Sequence, residues 1–290
     1  MPISTQHSKT LFYILIFGSL FLLTYSIFLY SNFAFAEETP TPSPSPEGRG
    51  TVQSTAEPII EKLVAKSYII YDINSNKVVM GDNSNVPLPL ASLTKVITVA
   101  TLLEAAKTAS TTVRDQTKLS IKMALVSSSN EDAEALGYVY SYSFGGDLIS
   151  ASNQFLKGKL NIQDVNLTSL TGLDNYDGVN LSASNMGSAE SMARIFAYVY
   201  EHHREIFEYT RTENVQTEIG TLKNTNKISD NTFGIMASKT GFTWEAGGNL
   251  GIIISPSPGE SYVVLVMGST KEGRFRDMEK LTKVLPYITK

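Results

Sequence analysis

The chain has 290 residues, a formal net charge of −4 and no cysteine. It is long enough to bury a full core in one large domain or in two lobes. The lack of cysteine in the sequence excludes disulfides, thiolate metal sites and cysteine nucleophiles, and three histidines offer few ligands for zinc. The acidic balance, without a basic stripe, argues against a nucleic-acid partner. We therefore expect a globular protein that uses no metal and no other cofactor.

An apolar run at 11–30 and a Pro/Ser/Thr-rich stretch at 37–58 precede the predicted folded domain. About 20 apolar residues suffice to span a bilayer, but the Ala-Phe-Ala sequence at 34–36 resembles the cleavage site of an exported precursor. Residues 1–36 are thus either a cleaved signal peptide or an uncleaved anchor in the cytoplasmic membrane. In both cases Lys9, ahead of the run, places the rest of the chain outside the cytoplasm. Residues 37–58 are predicted to be a polar linker.

The folded domain is predicted over 59–290, and it opens with two strands that flank an Asn-Ser-Asn turn, 67–73 and 77–81. A long, largely apolar helix is predicted next, at 91–106. Weaker helical patterns follow at 118–126, 131–142, 147–158, 187–203 and 204–210. The chain then returns to strands, at 233–238, 249–255 and 261–268. An amphipathic helix is predicted last, at 274–288.

This order of elements predicts an α/β fold with an antiparallel five-stranded sheet flanked by helices. Both ends of the domain supply the sheet lobe, at about 59–90 and 213–290. The helices form a lobe inserted between them, at about 91–212. Because binding sites favour clefts between lobes, we expect the functional residues where the two lobes meet.

Ser92 and Lys95 lie at the start of the predicted apolar helix. A spacing of three puts the amine on the same helix face as the hydroxyl, one turn further on. A desolvated lysine loses its charge more easily and can then act as a base towards serine. The alternative is a first-turn serine and a lysine that reaches solvent. A Ser-His-Asp triad would need His202 or His203, which are better explained as helix-end residues near the C-terminal dipole.

Ser128 and Asn130 lie where two predicted helices meet. A hydroxyl at such a position could relay a proton to a leaving nitrogen. The asparagine amide could orient the lysine and hold a substrate amide. The competing interpretation is ordinary helix capping ahead of the acidic residues that follow.

Lys239, Thr240 and Gly241 are predicted to end the strand at 233–238. A lysine at a cleft edge would offer a positive charge to a carboxylate, and the threonine hydroxyl could share that carboxylate. The glycine would permit close approach of an extended substrate, and the N–H of Phe242 could donate to an oxyanion. A solvated strand end with a turn glycine is the structural alternative.

Together these three motifs resemble those of the penicillin-binding serine D-Ala-D-Ala carboxypeptidases, from about Ser67 to the C-terminus. Further segments share the likeness: Pro89–Lys95 around the serine, Thr171–Asp174, Asn224–Lys227, and Lys239–Thr243 followed by an Ala-Gly pair at 246–247. The resemblance implies a β-lactamase/DD-peptidase-like fold. It also implies a substrate, the D-Ala-D-Ala end of the peptidoglycan stem peptide, and an extracytoplasmic enzyme of the cell wall.

By this resemblance Ser92 attacks the penultimate D-Ala carbonyl with Lys95 as base, and Ser128 relays the proton to the departing D-Ala. Lys239 and Thr240 hold the terminal carboxylate. β-Lactam antibiotics are expected to inhibit by acylating Ser92. The stretch between Lys95 and Ser128 is shorter than the family usually has, which leaves the substrate preference open.

Two other functions stay open at this stage. A class A-like β-lactamase would need an acidic residue in a Glu-x-x-x-Asn loop, and no glutamate from Glu190 to Glu218 has an asparagine four residues later. The second is a non-catalytic module that binds peptidoglycan or β-lactams. Transpeptidase or endopeptidase activity would share the same acyl-enzyme.

Overall fold

The computed structural model of the protein describes residues 62–107, 111–228 and 231–288. The segments predicted to be a signal or anchor and a linker lie outside these residues. The strands are β1 (Ser67–Asp72), β2 (Lys77–Asp82), β3 (Leu88–Pro89), β4 (Asn175–Tyr176), β5 (Leu181–Ser182), β6 (Met186–Gly187), β7 (Asn214–Thr217), β8 (Gly220–Lys223), β9 (Ile235–Thr243), β10 (Gly247–Ile254) and β11 (Tyr262–Ser269). The α-helices are α1 (Thr94–Ala106), α2 (Thr111–Lys122), α3 (Asn130–Phe144), α4 (Leu148–Gln154), α5 (Ala189–His202) and α6 (Gly273–Ile288).

The main sheet has five strands in the order β2-β1-β11-β10-β9, and each neighbouring pair is antiparallel. Its first two strands come from the start of the domain and its last three from the end. The predicted fold class is therefore confirmed. Because β9 lies at one edge of the sheet, one side of that strand has no partner strand among the described residues.

Helices cover both faces of the sheet because successive side chains of a strand point to opposite faces. On β1, Ile69 packs in the cluster that includes α1 and α5, whereas Ile70 packs against α6. On β11, Leu265 and Val264 divide in the same way. The sheet is thus the middle layer of the domain, and α1 lies buried on the side of the helical lobe.

Several boundaries differ from those predicted. The 91–106 helix begins with a 3-10 turn, Ala91–Leu93, before α1. The helix expected at 118–126 begins at Thr111 and continues into a π-helical turn, Met123–Ser127. The segment expected as a helix at 204–210 consists of two short 3-10 turns.

The largest correction concerns the Lys-Thr-Gly motif, which lies inside β9 and not at the end of a strand. β9 continues to Thr243 because β10 pairs with it there, with Lys239 opposite Gly251 and Gly241 opposite Asn249. The hairpin formed by β7 and β8 was not predicted. In the part of the chain described, no helix has the length and apolarity needed to cross a membrane.

Candidate active site

Ser92 lies in the 3-10 turn that connects β3 to α1. Asn249 on β10 holds the start of this turn, since its Nδ2 donates to the carbonyls of Pro89 and Leu90 at 2.9 and 3.1 Å. Ala91 has a positive φ of 47°, a conformation that non-glycine residues adopt at a cost. The hydroxyl is therefore carried by a constrained turn that is fixed to the sheet.

Lys95 is fully buried one turn after the serine. Its Nζ lies 2.9 Å from Ser92 Oγ, 2.7 Å from Asn130 Oδ1 and 3.0 Å from the carbonyl oxygen of Thr171. A neutral amine has two N–H donors and one lone pair. The Asn130 and Thr171 oxygens can only accept, so they take both donors and leave the lone pair for the Ser92 hydroxyl.

Burial lowers the pKa of Lys95 to about 8. The charges of Glu131 and Glu134 on α3 oppose this effect and raise the pKa. A fraction of the protein therefore holds a neutral amine near neutral pH. In this form the side chain can remove the proton of a neighbouring hydroxyl.

Ser128 follows the π-helical turn and has a left-handed backbone, with φ 64° and ψ 28°. Its Oγ accepts from Lys239 Nζ at 2.8 Å, which joins the helical lobe to β9. Helix capping is performed by Ser129, whose hydroxyl accepts from the N–H of Asp132. The capping interpretation thus applies to Ser129, while Ser128 and Asn130 each contact a lysine.

Lys239 is buried and does not border the cavity described below, contrary to the expected position at a cleft edge. Besides its bond to Ser128, its Nζ donates to the carbonyl of Thr240 at 2.9 Å. Burial lowers the pKa of Lys239 well below its usual range, and the nearby charges of Lys95 and Arg274 lower it further. Each of the two lysines therefore contacts its own serine.

Gly241 permits a close approach, but the contact is with the protein's own backbone. A Cβ at this position would lie 3.1 Å from Leu90 O and 3.2 Å from Ser92 N. The glycine thus brings β9 against the turn that carries Ser92, so that the N–H of Ser92 and the strand adjoin the same space. The donor role of the Phe242 N–H stays a prediction.

A cavity of about 240 Å³ lies where these elements meet. Six of the predicted site residues border it together with three others, and the full lining is Ser92, Ser128, Asn130, Leu173, Thr225, Thr240, Gly241, Phe242 and Arg274. Lys95 and Lys239 do not line this space but contact residues that do, Lys95 through Ser92 and Asn130 and Lys239 through Ser128. The Thr240 hydroxyl donates to Thr225 Oγ1 at 2.6 Å, so the segment before β9 also shapes the wall.

Arg274 was not predicted as a site residue. It lies in the first turn of α6, and its Nη1 donates to the carbonyl of Gly241 at 2.6 Å. Its Nε has no hydrogen-bond partner among the described residues. Burial lowers the pKa of Arg274 to about 10, opposed by the charge of Glu272, so the guanidinium is a cation at neutral pH. Nothing in the sequence sets it apart from other basic residues, because only the packing of α6 brings it to the cavity.

The Thr171–Asp174 loop connects the serine turn to the end of β9. Gly172 has a φ of 77°, and a Cβ there would lie 2.0 Å from Ala91 O, so only glycine fits. The Asp174 carboxylate accepts from Thr243 Oγ1 at 2.7 Å and from the Glu245 N–H at 3.1 Å. The loop therefore fixes one side of the cavity with respect to the other.

The described histidines are not part of this site. His203 is fully buried, and its Nε2 lies 2.6 Å from Glu104 Oε1, near the far end of α1 from Ser92. At a rise of about 1.5 Å per residue, Glu104 is roughly 14 Å along the helix from Lys95. Neither His202 nor His203 borders the cavity. The site thus has the composition of a serine acyl-transfer centre in which lysine takes the place of histidine.

The sequence matches the family described as D-alanyl-D-alanine carboxypeptidase over residues 51–125 and 120–270. No curated protein matches it significantly. Among solved structures it is similar to penicillin-binding protein D2 from Listeria monocytogenes in the ampicillin-bound form, at 25% identity and a TM-score of 0.67, covering 77% of this chain and 98% of that one.

Two less similar structures support the fold. A D-alanyl-D-alanine carboxypeptidase from Mycobacterium tuberculosis has 20% identity and a TM-score of 0.64 over 81% of this chain and 95% of that one. A peptidoglycan synthesis regulatory factor (PBP3) from Streptococcus pneumoniae has 22% identity and a TM-score of 0.67, and the match covers 79% of this chain and 72% of that one.

The fold and the lysine-paired serine are those of a serine hydrolase with a DD-peptidase-like fold. Since the family match extends over well more than half of the sequence, the chain belongs to the D-alanyl-D-alanine carboxypeptidase family. The family resemblance drawn from the motifs is confirmed.

Proposed function

We propose that Ser92 is the nucleophile of the D-alanyl-D-alanine carboxypeptidase reaction and that Lys95 is its base. The observation that carries the proposal is the environment of Lys95 Nζ, which has two fixed acceptors and one hydroxyl within 3.0 Å. The amine takes the proton of Ser92 Oγ, and the oxygen bonds to the penultimate D-Ala carbonyl carbon. The N–H groups of Ser92 and Phe242 are the proposed donors to the oxyanion.

Ser128 and Lys239 act on the leaving side of the reaction. When the peptide C–N bond breaks, the departing nitrogen needs a proton, which the Lys95 ammonium returns by way of the Ser128 hydroxyl. Lys239 positions that hydroxyl through its 2.8 Å hydrogen bond. Thr240 and Arg274 border the cavity beside Ser128 and bind the terminal carboxylate of the substrate.

Water then cleaves the acyl-enzyme and frees Ser92. None of the residues that line the cavity in the described structure carries a carboxylate, so a water molecule there lacks the acidic partner that a class A β-lactamase requires. We therefore favour a carboxypeptidase that hydrolyses β-lactams slowly over a β-lactamase. The ampicillin-bound form of the similar Listeria protein supports acylation of this chain by β-lactams.

The stem peptide as substrate implies work outside the cytoplasm, in the cell wall. An extracytoplasmic location fits both hypotheses for residues 1–36, a cleaved signal and an anchor in the cytoplasmic membrane. Mass measurement of the mature protein from the membrane and soluble fractions distinguishes them. A mature chain that starts after residue 36 supports cleavage, and a full-length chain in the membrane fraction supports the anchor.

Labelling with a fluorescent penicillin tests the assignment of the nucleophile. We expect a single adduct on Ser92 by peptide mapping, release of D-Ala from a D-Ala-D-Ala peptide, and loss of both in Ser92→Ala. Ser141→Ala is a matched control, because this serine on α3 is exposed and its hydroxyl donates to the loop carbonyl of Gly146. An adduct that persists in Ser92→Ala, or that maps to another residue, would contradict the proposal.

A further inference from the structure

An exposed apolar rim adjoins the catalytic cavity at the end of β9. It consists of Leu173, Phe242 and Trp244. Leu173 is 49% exposed and Trp244 is 82% exposed, although both are large apolar side chains. Phe242 and Leu173 also line the cavity itself, so the rim is continuous with the site.

The rim is held in place from both sides of Trp244. The residues before and after it, Thr243 and Glu245, both donate hydrogen bonds to the Asp174 carboxylate, next to Leu173. The Trp244 ring meets the Phe242 ring edge-on, with centroids 6.0 Å apart. The exposed tryptophan therefore lies in the turn between β9 and β10, and this turn is anchored by hydrogen bonds on both sides of it.

The order of residues along β9 indicates which part of a substrate reaches the rim. Thr240 borders the proposed carboxylate site, and Gly241 lies against the backbone of Ser92. The reacting carbonyl therefore lies beside Gly241 and the departing D-Ala beside Thr240. The acyl part, which stays on the enzyme, must leave the cavity in the other direction, past Phe242 and Trp244.

We propose that Leu173 and Trp244 form a specificity site that takes an apolar side arm of the acyl group. This rests on the proposed acyl-enzyme at Ser92. When an apolar arm packs against these two side chains, the apolar surface removed from water favours binding in proportion to its area. The tryptophan ring can also stack on an aromatic arm. In a penicillin, the occupant is the acyl arm carried by the exocyclic 6-amino group of the nucleus.

The experiment compares two penicillins with the same nucleus, one carrying a phenylacetyl arm and one an acetyl arm. In the unchanged protein we expect the phenylacetyl compound to acylate about tenfold faster, equivalent to ~1.4 kcal/mol. Trp244→Ala should reduce this ratio while leaving the acetyl compound within about twofold, because Trp244 does not line the cavity. Leu173→Ala should also reduce the ratio. Tyr142→Ala is the matched control, since that aromatic side chain is also largely exposed, at 95%, but lies on α3.

The protein also offers a readout without mutation, because Trp244 is its only tryptophan. Acylation with the phenylacetyl arm should move the tryptophan emission to shorter wavelength as the ring is covered, and acylation with the acetyl arm should not. The specificity site would be overturned if the ratio of the two acylation rates were the same in Trp244→Ala as in the unchanged protein, and if the unchanged protein showed no emission shift with the phenylacetyl arm. Failure of both penicillins to label Ser92 would overturn the proposed nucleophile instead.

Discussion

The pH dependence of Ser92 acylation tests whether Lys95 acts as a neutral base. With its pKa lowered to about 8 by burial, about one-tenth of the amine is neutral at pH 7 and about nine-tenths at pH 9. The second-order rate of acylation should therefore rise about tenfold between these pH values. Arg274, with a pKa of about 10, keeps its charge across most of this range, and a penicillin carboxylate does not titrate in it.

Replacing the two glutamates on α3 should shift this profile in a predictable direction. Glu131 and Glu134 raise the pKa of Lys95, so the double change Glu131→Gln with Glu134→Gln should lower it and increase the rate at pH 7. Both side chains are exposed, and charges of this kind contribute roughly 0.2–1 kcal/mol, which corresponds to a change in rate of about 1.4- to 5-fold. The difference should shrink at high salt because exposed charges are screened.

The assay is stopped-flow acylation by a chromogenic or fluorescent penicillin from pH 6 to 10. Glu218→Gln in the β7–β8 turn is the control for loss of an exposed carboxylate elsewhere on the protein. A flat profile between pH 7 and pH 9 would refute the base role of Lys95. A midpoint that moves to higher pH in the double variant would show that the α3 carboxylates do not act on Lys95 as described.

Three further outcomes follow from named contacts. Gly172→Ala places a Cβ against Ala91 O at a positive φ, so we expect a loss of about 2 kcal/mol or more, seen as a melting temperature lower by roughly 4–8 °C. Arg274→Met should lower kcat/KM for a D-Ala-D-Ala peptide by about 10- to 100-fold, the value of a charged hydrogen bond, and a peptide that ends in an amide should not show this loss. Glu104→Gln should lower thermal stability by removing the partner of buried His203, with acylation of Ser92 unchanged; a slowed acylation would contradict this separation.

The secondary structure was predictable where apolar patterns mark it and not where polar residues face inward. The hairpin of β1 and β2, the buried α1 and the last helix α6 were all expected near their observed bounds. The first turns of α2 were missed. Its inward positions are Val113, Thr117 and Ile121, spaced by four, and the middle one is a threonine whose hydroxyl donates to the Val113 carbonyl. The local hydrogen bond satisfies the threonine hydroxyl and so lets this polar residue face the core. The amino-acid pattern alone does not reveal that bond.

The extent of β9 shows the same effect at the site. A sequence pattern ends the strand at the first charged residue, Lys239. In the structure the strand continues, because β10 supplies its backbone partners and because Ser128 and the Thr240 carbonyl satisfy the lysine amine. A buried charge is compatible with a strand interior when its donors are used, and those acceptors lie far away in the sequence or on the backbone.

The two serine–lysine pairs of the site differ in how much of the fold is needed to bring each pair together. Ser92 and Lys95 are three residues apart, so the start of α1 brings them together by helix geometry alone. Ser128 and Lys239 are 111 residues apart and meet only when the helical lobe packs on β9. A change that loosens this packing should therefore spare the proton removal that begins the reaction and impair proton delivery to the leaving group. β-Lactams do not lose a fragment when their ring opens, so a loosened site should retain penicillin acylation better than release of D-Ala, and the ratio of the two rates reports on the contact between the lobes.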